Sequence, residues 1–283
     1  MSGQPAGPVG IFDSGVGGLS VLRALWAELP GIPVIYFADQ AHVPYGPRPL
    51  GQVRQFAEAI SRYLIDQGAR LVVVACNAAS AAALHHLRQV FPETPFVGME
   101  PAVKPAAETS RSRVVGVLAT PATFQGALYA SVVERFASDV QLLQHTCPGL
   151  VAQIEAGELS APATRRILDA ALQPMLAGGI DTVVLGCTHY PFVIPLIQEI
   201  AGPAVRVIDP APAVARQARR LLAASVPSTL PYSAAAATFL TSGDPQRFEQ
   251  TLEQLLGIRA PASRLEWTGG EHDWRLGLSD QPS

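Results

Sequence analysis

Short runs of β-branched and aromatic residues recur along this chain. Each closes in a polar or glycine-rich turn, and a stretch with apolar residues every three or four positions follows. That alternation of period two and period 3.6 predicts strand, turn and helix in repeated order, the pattern of a parallel α/β fold. VGIFDSGVGGLSVLRALWAEL (Val9 to Leu29) is the first such unit, PVIYFAD (33–39) the next strand, and a helix is expected around Val53 to Gln67. LVVVACNAASAAALHHLRQV (71–90) adds another strand and helix. A second series follows with RVVGVLATPATFQGALYASVVERF (113–136), the strand VQLLQHTC (140–147), a helix from Ala161 to Ala177, and TVVLGCTHYPFVIPLIQEI (182–200). Beyond Asp209 the pattern predicts a helix over Ala213 to Ala224, a Pro/Ser/Ala-rich connector (225–237), the strand TFLTSG and a helix started by Asp244 and Pro245. After Ala260 it predicts one short strand and a loose tail.

The two series look like repeats of one another. VVVAC-NAAS aligns with TVVLGC-THYP, and VGIFDSGVGG more loosely with VVGVLATPAT. Each half therefore offers an opening strand ending near a hydroxyl residue and a later strand ending in cysteine. Ligands of open parallel sheets bind outside the carboxyl ends of the strands, so Asp13, Ser14, Cys76, Thr120 and Cys187 should gather at such edges. If the halves face one another, the two cysteines flank one small ligand.

Composition narrows the class. The 283 residues are 48% hydrophobic with a mean hydropathy of +0.23, enough for a sizeable core in one large or two modest domains. Net charge is −3 and the basic residues are scattered apart from short clusters such as Arg216, Arg219 and Arg220, which argues against a nucleic-acid partner. The start of the chain lacks the charged and apolar regions of a secretory signal, and no apolar run approaches a membrane span. A cytoplasmic protein is expected, with neither nucleic acid nor membrane as partner. Cys76, Cys147 and Cys187 are too few and too dispersed for a disulfide framework or a zinc site.

A single strand-end cysteine is most simply a small core hydrophobe. Two in equivalent places, followed by Asn77 and by Thr188 and His189, and each opening a helix whose amides favour a thiolate, suggest chemistry. Cys147 has no repeat partner and is read as structural. Disulfide exchange needs adjacent thiols and hydrolysis needs one nucleophile. Inversion at carbon needs one base to take a proton and an acid on the opposite face to return one, and a thiol with a pKa near about 8.5 can be tuned for both. A pyridoxal enzyme needs a Schiff-base lysine, and the chain's single lysine, Lys104, precedes Pro105 away from any strand end. A dinucleotide is poorly supported because Ser20 stands where GxGxxG requires its third glycine. Gly15, Gly17 and Gly18 are expected to let the turn approach a small carboxylate, or merely to shape the strand–helix turn. No cofactor and no metal are expected.

The motifs GIFDSGVGGLSVL, PYGPRP, VVVACNAAS, EPAVKPA, VLGCTHYPF and SGDPQRF, in this order from Val9 to Phe248, resemble the bacterial glutamate racemases, cofactor-independent members of the aspartate/glutamate racemase family. The resemblance implies two pseudo-symmetric parallel-sheet α/β domains, residues 1–99 with 209–283 and residues 100–208, and an active site in the cleft between them. It implies L-/D-glutamate as substrate, D-glutamate supply for peptidoglycan as role, and a homodimer. By similarity Cys76 acts on D-glutamate and Cys187 on L-glutamate. Asp13 and Ser14 match a substrate-binding pair, and Asp13 also assists Cys76, with N-cap of the first helix as its structural alternative. Tyr45 and Gly46 match the next pair, although Pro44 and Pro47 could simply stiffen that loop. Asn77 and Ala78, then Thr188 and His189, follow the thiols, with His189 the helper of Cys187. Glu155 matches a glutamate that aids proton transfer but reads as an ordinary helix-surface carboxylate, and Thr120 is a further substrate contact.

Two positions depart from the family pattern. Ala78 stands where a threonine hydroxyl is common, a loss of about 1.5–3 kcal/mol if no other donor replaces it. Asp209-Pro210-Ala211 replaces a DSG-like turn, altering a hinge or helix start. An aspartate or broader amino-acid racemase is the nearest alternative, and a catalytically weak glutamate-binding regulatory protein the alternative of another class.

Overall fold

In a computed structural model of the chain, residues 7–225, 237–270 and 273–278 are described. The Pro/Ser/Ala-rich connector predicted over 225–237 lies, but for its two ends, outside them, as do the first six and last five residues. The first repeat runs β1 (Val9–Asp13), α1 (Leu19–Glu28), β2 (Val34–Ala38), α2 (Leu50–Asp66), β3 (Leu71–Val74), α3 (Asn77–Val90) and β4 (Phe96–Gly98). The second runs α4 (Val103–Thr109), β5 (Val114–Ala119), α5 (Pro121–Gln125), α6 (Ala127–Phe136), β6 (Gln141–His145), α7 (Leu150–Glu155), α8 (Pro162–Ala177), β7 (Thr182–Gly186), a 3₁₀ turn (Tyr190–Val193), α9 (Ile194–Ala201) and β8 (Arg206–Ile208). The chain then returns through α10 (Ala211–Ser225), β9 (Ala237–Thr241), α11 (Pro245–Leu256), β10 (Ala262–Thr268) and β11 (Arg275–Leu278).

Two sheets result. The larger has the order β11-β10-β9-β2-β1-β3-β4 and the smaller β6-β5-β7-β8. The run β2-β1-β3-β4 has the same order as β6-β5-β7-β8, so the repeat seen in sequence is a repeat of topology. In each, the opening strand lies between the next two, and chain direction across the sheet reverses beside it. Such a reversal opens a crevice at the carboxyl strand ends. β1 and β3 run in register as Phe12 opposite Val74, and β5 and β7 as Ala119 opposite Gly186. Asp13 and Cys76 thus leave neighbouring strands of one sheet, Thr120 and Cys187 neighbouring strands of the other.

Burial explains these elements. β1, β3 and β7 are buried along their whole length, as expected of strands covered by helices on both faces. α2 buries Val53, Phe56, Ala57, Ile60 and Leu64, a stripe with helical spacing, each large apolar side chain contributing about 1.5–3 kcal/mol. α3 is rich in alanine, the strongest helix former, and its small side chains let the helix lie close to both sheet and cavity. α11 starts as expected, with Asp244 accepting from the Gln246 amide at 2.9 Å.

Three expectations need correction. The end of the chain folds as two strands, and β11 pairs antiparallel with β10, so the large sheet is not wholly parallel. Exposed positions in β11 gave this strand little apolar pattern to betray it. Cys187 opens a bend and a 3₁₀ turn with α9 starting only at Ile194, because Pro191 and Pro195 delay the regular helix. The N-cap of α1 is Gly18, not Asp13. Asp209 does sit at a helix start, its carboxylate accepting from the Ala211 amide at 2.8 Å.

Candidate active site

Strand ends from both sheets enclose a cavity of about 20 Å³, room for about one water molecule. Ser14, Tyr45, Gly46, Cys76, Asn77 and Ala78 line it from the first repeat, and Thr120, Cys187, Thr188 and His189 from the second. Every predicted site residue except Asp13 and Glu155 is therefore in the lining. Sequence reading missed Val151 and, as a lining residue, Pro44. Nothing in their type distinguishes them from ordinary packing residues.

Asp13 and Glu155 stand behind the two thiols. Asp13 is fully buried, and its Oδ2 accepts from the amides of Gly18 at 2.9 Å and Gly15 at 3.3 Å. Thr188 Oγ1 donates to Oδ1 at 3.5 Å from the other repeat. Burial raises the Asp13 carboxyl above its ordinary 3.8 against the pull of His189. Cys76 caps α3 in extended backbone, with Ser14 Oγ 3.9 Å from its Sγ. Burial, then the Asp13 charge, pushes its thiol well above the ordinary 9.0, and the Ala79 amide at the helix start offsets this only partly.

The Cys187 side is built differently. Sγ lies 3.7 Å from His189 Nδ1, and His189 Nε2 lies 2.6 Å from Glu155 Oε1. Burial opposes a charged imidazole, yet the bonds to Cys187 and Glu155 outweigh it and hold His189 well above its ordinary 6.5. For Glu155, burial likewise opposes charge, and His189, the Val16 amide at 2.8 Å and Gln40 win, lowering its pKa. An imidazolium thus faces one thiol and a carboxylate the other. Cys147 is buried in the same core as Cys187, its thiol pushed up to about 12 mainly by burial.

The glycine turn serves this arrangement in an unexpected way. A Cβ on Gly15 would collide with the Glu155 carboxylate, and one on Gly17 with the His189 ring. The carboxylate these glycines admit is therefore one of the protein's own. Gly46 plays the same part across the cavity, where a Cβ would meet Thr120 Cβ at 2.7 Å while its carbonyl accepts from the Ala122 amide at 3.0 Å.

The loop carrying Tyr45 is fixed by a hub that sequence reading missed. Asp39, fully buried, accepts from Tyr45 Oη at 2.6 Å, Ser242 Oγ at 2.7 Å, Trp267 Nε1 at 2.7 Å and His42 Nδ1 at 2.9 Å. The Tyr45 hydroxyl is therefore committed to the loop. Asp39 directly follows β2, much as Asp13 closes β1, and that parallel was the available signal. Asn77 is the opposite case: buried in the lining, its amide oxygen and nitrogen have no partner. Among the described residues no three His, Cys, Asp or Glu side chains cluster closely enough to hold a metal ion, and no helix is long and apolar enough to cross a membrane.

Known proteins share this architecture and sequence. The pattern of the Asp/Glu/Hydantoin racemase family matches residues 18–218. The glutamate racemase of Ectopseudomonas mendocina is 50% identical over 258 residues, covering 91% of this chain and 97% of its own length. That of Roseiflexus sp. is 48% identical over 267 residues, covering 94% and 97%. The crystal structure of Escherichia coli glutamate racemase in complex with L-glutamate and the activator UDP-MurNAc-Ala superposes with a TM-score of 0.83 at 31% identity, covering 94% of this chain and all of that one. The Thermus thermophilus enzyme in complex with β-chloro-D-alanine gives 0.78 at 34%, covering 93% and 98%. This chain belongs to the Asp/Glu/hydantoin racemase family.

Proposed function

We propose that this chain interconverts L- and D-glutamate through Cys76 and Cys187 without a cofactor, supplying D-glutamate for peptidoglycan. The observation that carries the reading is that two thiols at equivalent strand ends of two repeats line one small cavity. In the L-to-D direction Cys187 takes the Cα proton beside the charged His189. Cys76, which burial and Asp13 hold as a thiol, protonates the opposite face. In reverse, Cys76 must first lose its proton, and Asp13, made more basic by burial, is the neighbouring acceptor. The substrate's polar groups fall to Ser14, Thr120, Thr188, the backbone at Tyr45–Gly46 and above all Asn77. Its unpartnered amide supplies the donor that Ala78 lacks, and substrate binding recovers the roughly 1–3 kcal/mol that each unmet buried group costs.

The same reading sets the active site in a cleft between a domain of residues 1–99 with 209–283 and one of residues 100–208. Its support is the chain's exit from the large sheet after β4 and return after β8. A homodimer, common among the proteins the chain resembles, belongs to the same reading, as does a cytoplasmic location, and light scattering decides the dimer.

Incubation of the purified protein with L-glutamate in deuterated water, without added cofactor, tests the activity. Loss of optical rotation together with deuterium at Cα is expected. Glutamate that keeps both its rotation and its Cα proton, or aspartate turning over faster beside it, overturns the assignment.

A further inference from the structure

The Glu155–His189 pair is completed from the other repeat. Glu155 ends α7 and His189 follows β7, both in the second repeat, whereas two of the carboxylate's donors belong to the first. The Val16 amide reaches Oε1 at 2.8 Å, and Gln40 Nε2 reaches Oε2 at 3.2 Å. Gln40 is itself held from behind. Its Oε1 accepts from Thr241 Oγ1 at 2.9 Å, and Thr241, fully buried at the end of β9, accepts in turn from the Gly243 amide at 3.0 Å. A Cβ on Gly243 would lie 2.8 Å from Gln40 Cβ, so the turn after β9 presses against this side chain and only glycine leaves it room. The chain of contacts Thr241–Gln40–Glu155–His189–Cys187 joins the C-terminal part of the large sheet to one thiol.

We infer that Gln40 is a positioning residue for the Cys187 half of the reaction, acting through the Glu155 carboxylate. With one oxygen tied to Gln40 and the other shared by Val16 and His189, the carboxylate cannot swing from the imidazole. The inference rests on the two-thiol reading. It adds a coupling between the halves: the cavity is far smaller than glutamate, so substrate enters only when the repeats part. Parting removes Gln40 and Val16 from Glu155, and the His189 side regains its full set of bonds only on closing.

Gln40→Leu and Gln40→Glu test this. Enantiomers have equal free energies, so any loss in kcat/KM is equal in both directions, and about tenfold is expected for Gln40→Leu. The discriminating readout is the isotope effect. With the Cys187 step made slower, the deuterium effect on kcat/KM grows for Cα-deuterated L-glutamate and shrinks for the D-enantiomer. Gln40→Glu places a second carboxylate against Glu155, so its deficit exceeds that of Gln40→Leu where both carboxylates are charged and narrows as falling pH lets the pair share a proton. An NMR titration of His189, whose charged neighbours are Glu155, Cys187 and Asp13, shifts to lower pH in Gln40→Leu. Unchanged isotope effects with an unmoved His189 titration overturn the inference, whatever happens to the rate. No glutamate exchange by the unmodified protein, with the His189 shift present, overturns the racemase reading and the reaction role built on it, and leaves only the hold of Gln40 on the Glu155–His189 pair standing.

Discussion

Cys76 and Cys187 leave equivalent strands of two repeats and enter opposite electrostatic surroundings. Cys76 meets a helix start and a buried carboxylate, Asp13, and its thiol is pushed up. Cys187 meets an imidazole held charged by Glu155. The repeat supplies symmetry of position, and the residues that follow each strand break the symmetry of charge. A two-base reaction requires one group to give a proton while the other takes one, so unequal partners set a resting direction: Cys76 protonated, Cys187 beside a cation.

The largest effect breaks the pairing itself. Cys76→Ala and Cys187→Ala each lower racemisation by about 10³-fold or more, and mixing the two inactive proteins restores nothing, because both thiols must line one cavity. Turnover in either variant, followed by polarimetry, would refute two-thiol chemistry. Next comes Gly15→Ala. The clashing atoms belong to the Glu155 side chain and not to backbone, so the protein still folds, with a melting temperature lowered about as much as by loss of the Glu155–His189 pair. The displaced carboxylate leaves His189, and kcat/KM falls about 10- to 100-fold.

Glu155→Gln sharpens the comparison through stability, costing about 3 kcal/mol where the pair is fully charged. Glu155 has a lowered pKa, so its contribution is present above its ordinary 4.5 and disappears as pH falls through the lowered value. His189 has a raised pKa, so its contribution is complete below 6.5 and is lost as pH rises through the raised value. Denaturant melts should show the widest gap between variant and unmodified protein from about pH 4.5 to 6.5. On the other thiol, Asp13→Asn removes a negative neighbour, lowers the Cys76 pKa and speeds its alkylation by a small haloacetamide severalfold at about pH 8. The smallest effect belongs to Ala78→Thr, which adds a hydroxyl beside Asn77 and lowers KM for glutamate about threefold, provided calorimetry shows the crowded cavity is tolerated.

Much of this comparison was legible in the chain. Cys76 and Cys187 stand at ends of apolar runs, and the two alignable segments foretold sheets of matching strand order. What was hidden depends on contacts between distant segments. Glu155 looks like a surface carboxylate because its helix gives no hint that Val16, Gln40 and His189 converge on it. The glycines of GVGG were legible as a tight turn, but what fills the space they leave comes from residues about 140 and 170 positions away. β11 was invisible because antiparallel pairing at an exposed edge needs little apolar pattern.

The Asp39 hub carries a consequence for synthesis. The loop bearing Tyr45 and Gly46 is made early, yet its buried carboxylate is satisfied by Ser242 and Trp267, which leave the ribosome more than two hundred residues afterwards. At roughly 5–20 residues per second, the nascent chain spends about 3–16 seconds with β1, β2 and both thiols translated and that loop still lacking its Ser242 and Trp267 bonds. The site is completed by residues translated after all of its lining, so a chain cut before β10 carries every lining residue of the cavity and lacks the Trp267 bond that holds one wall.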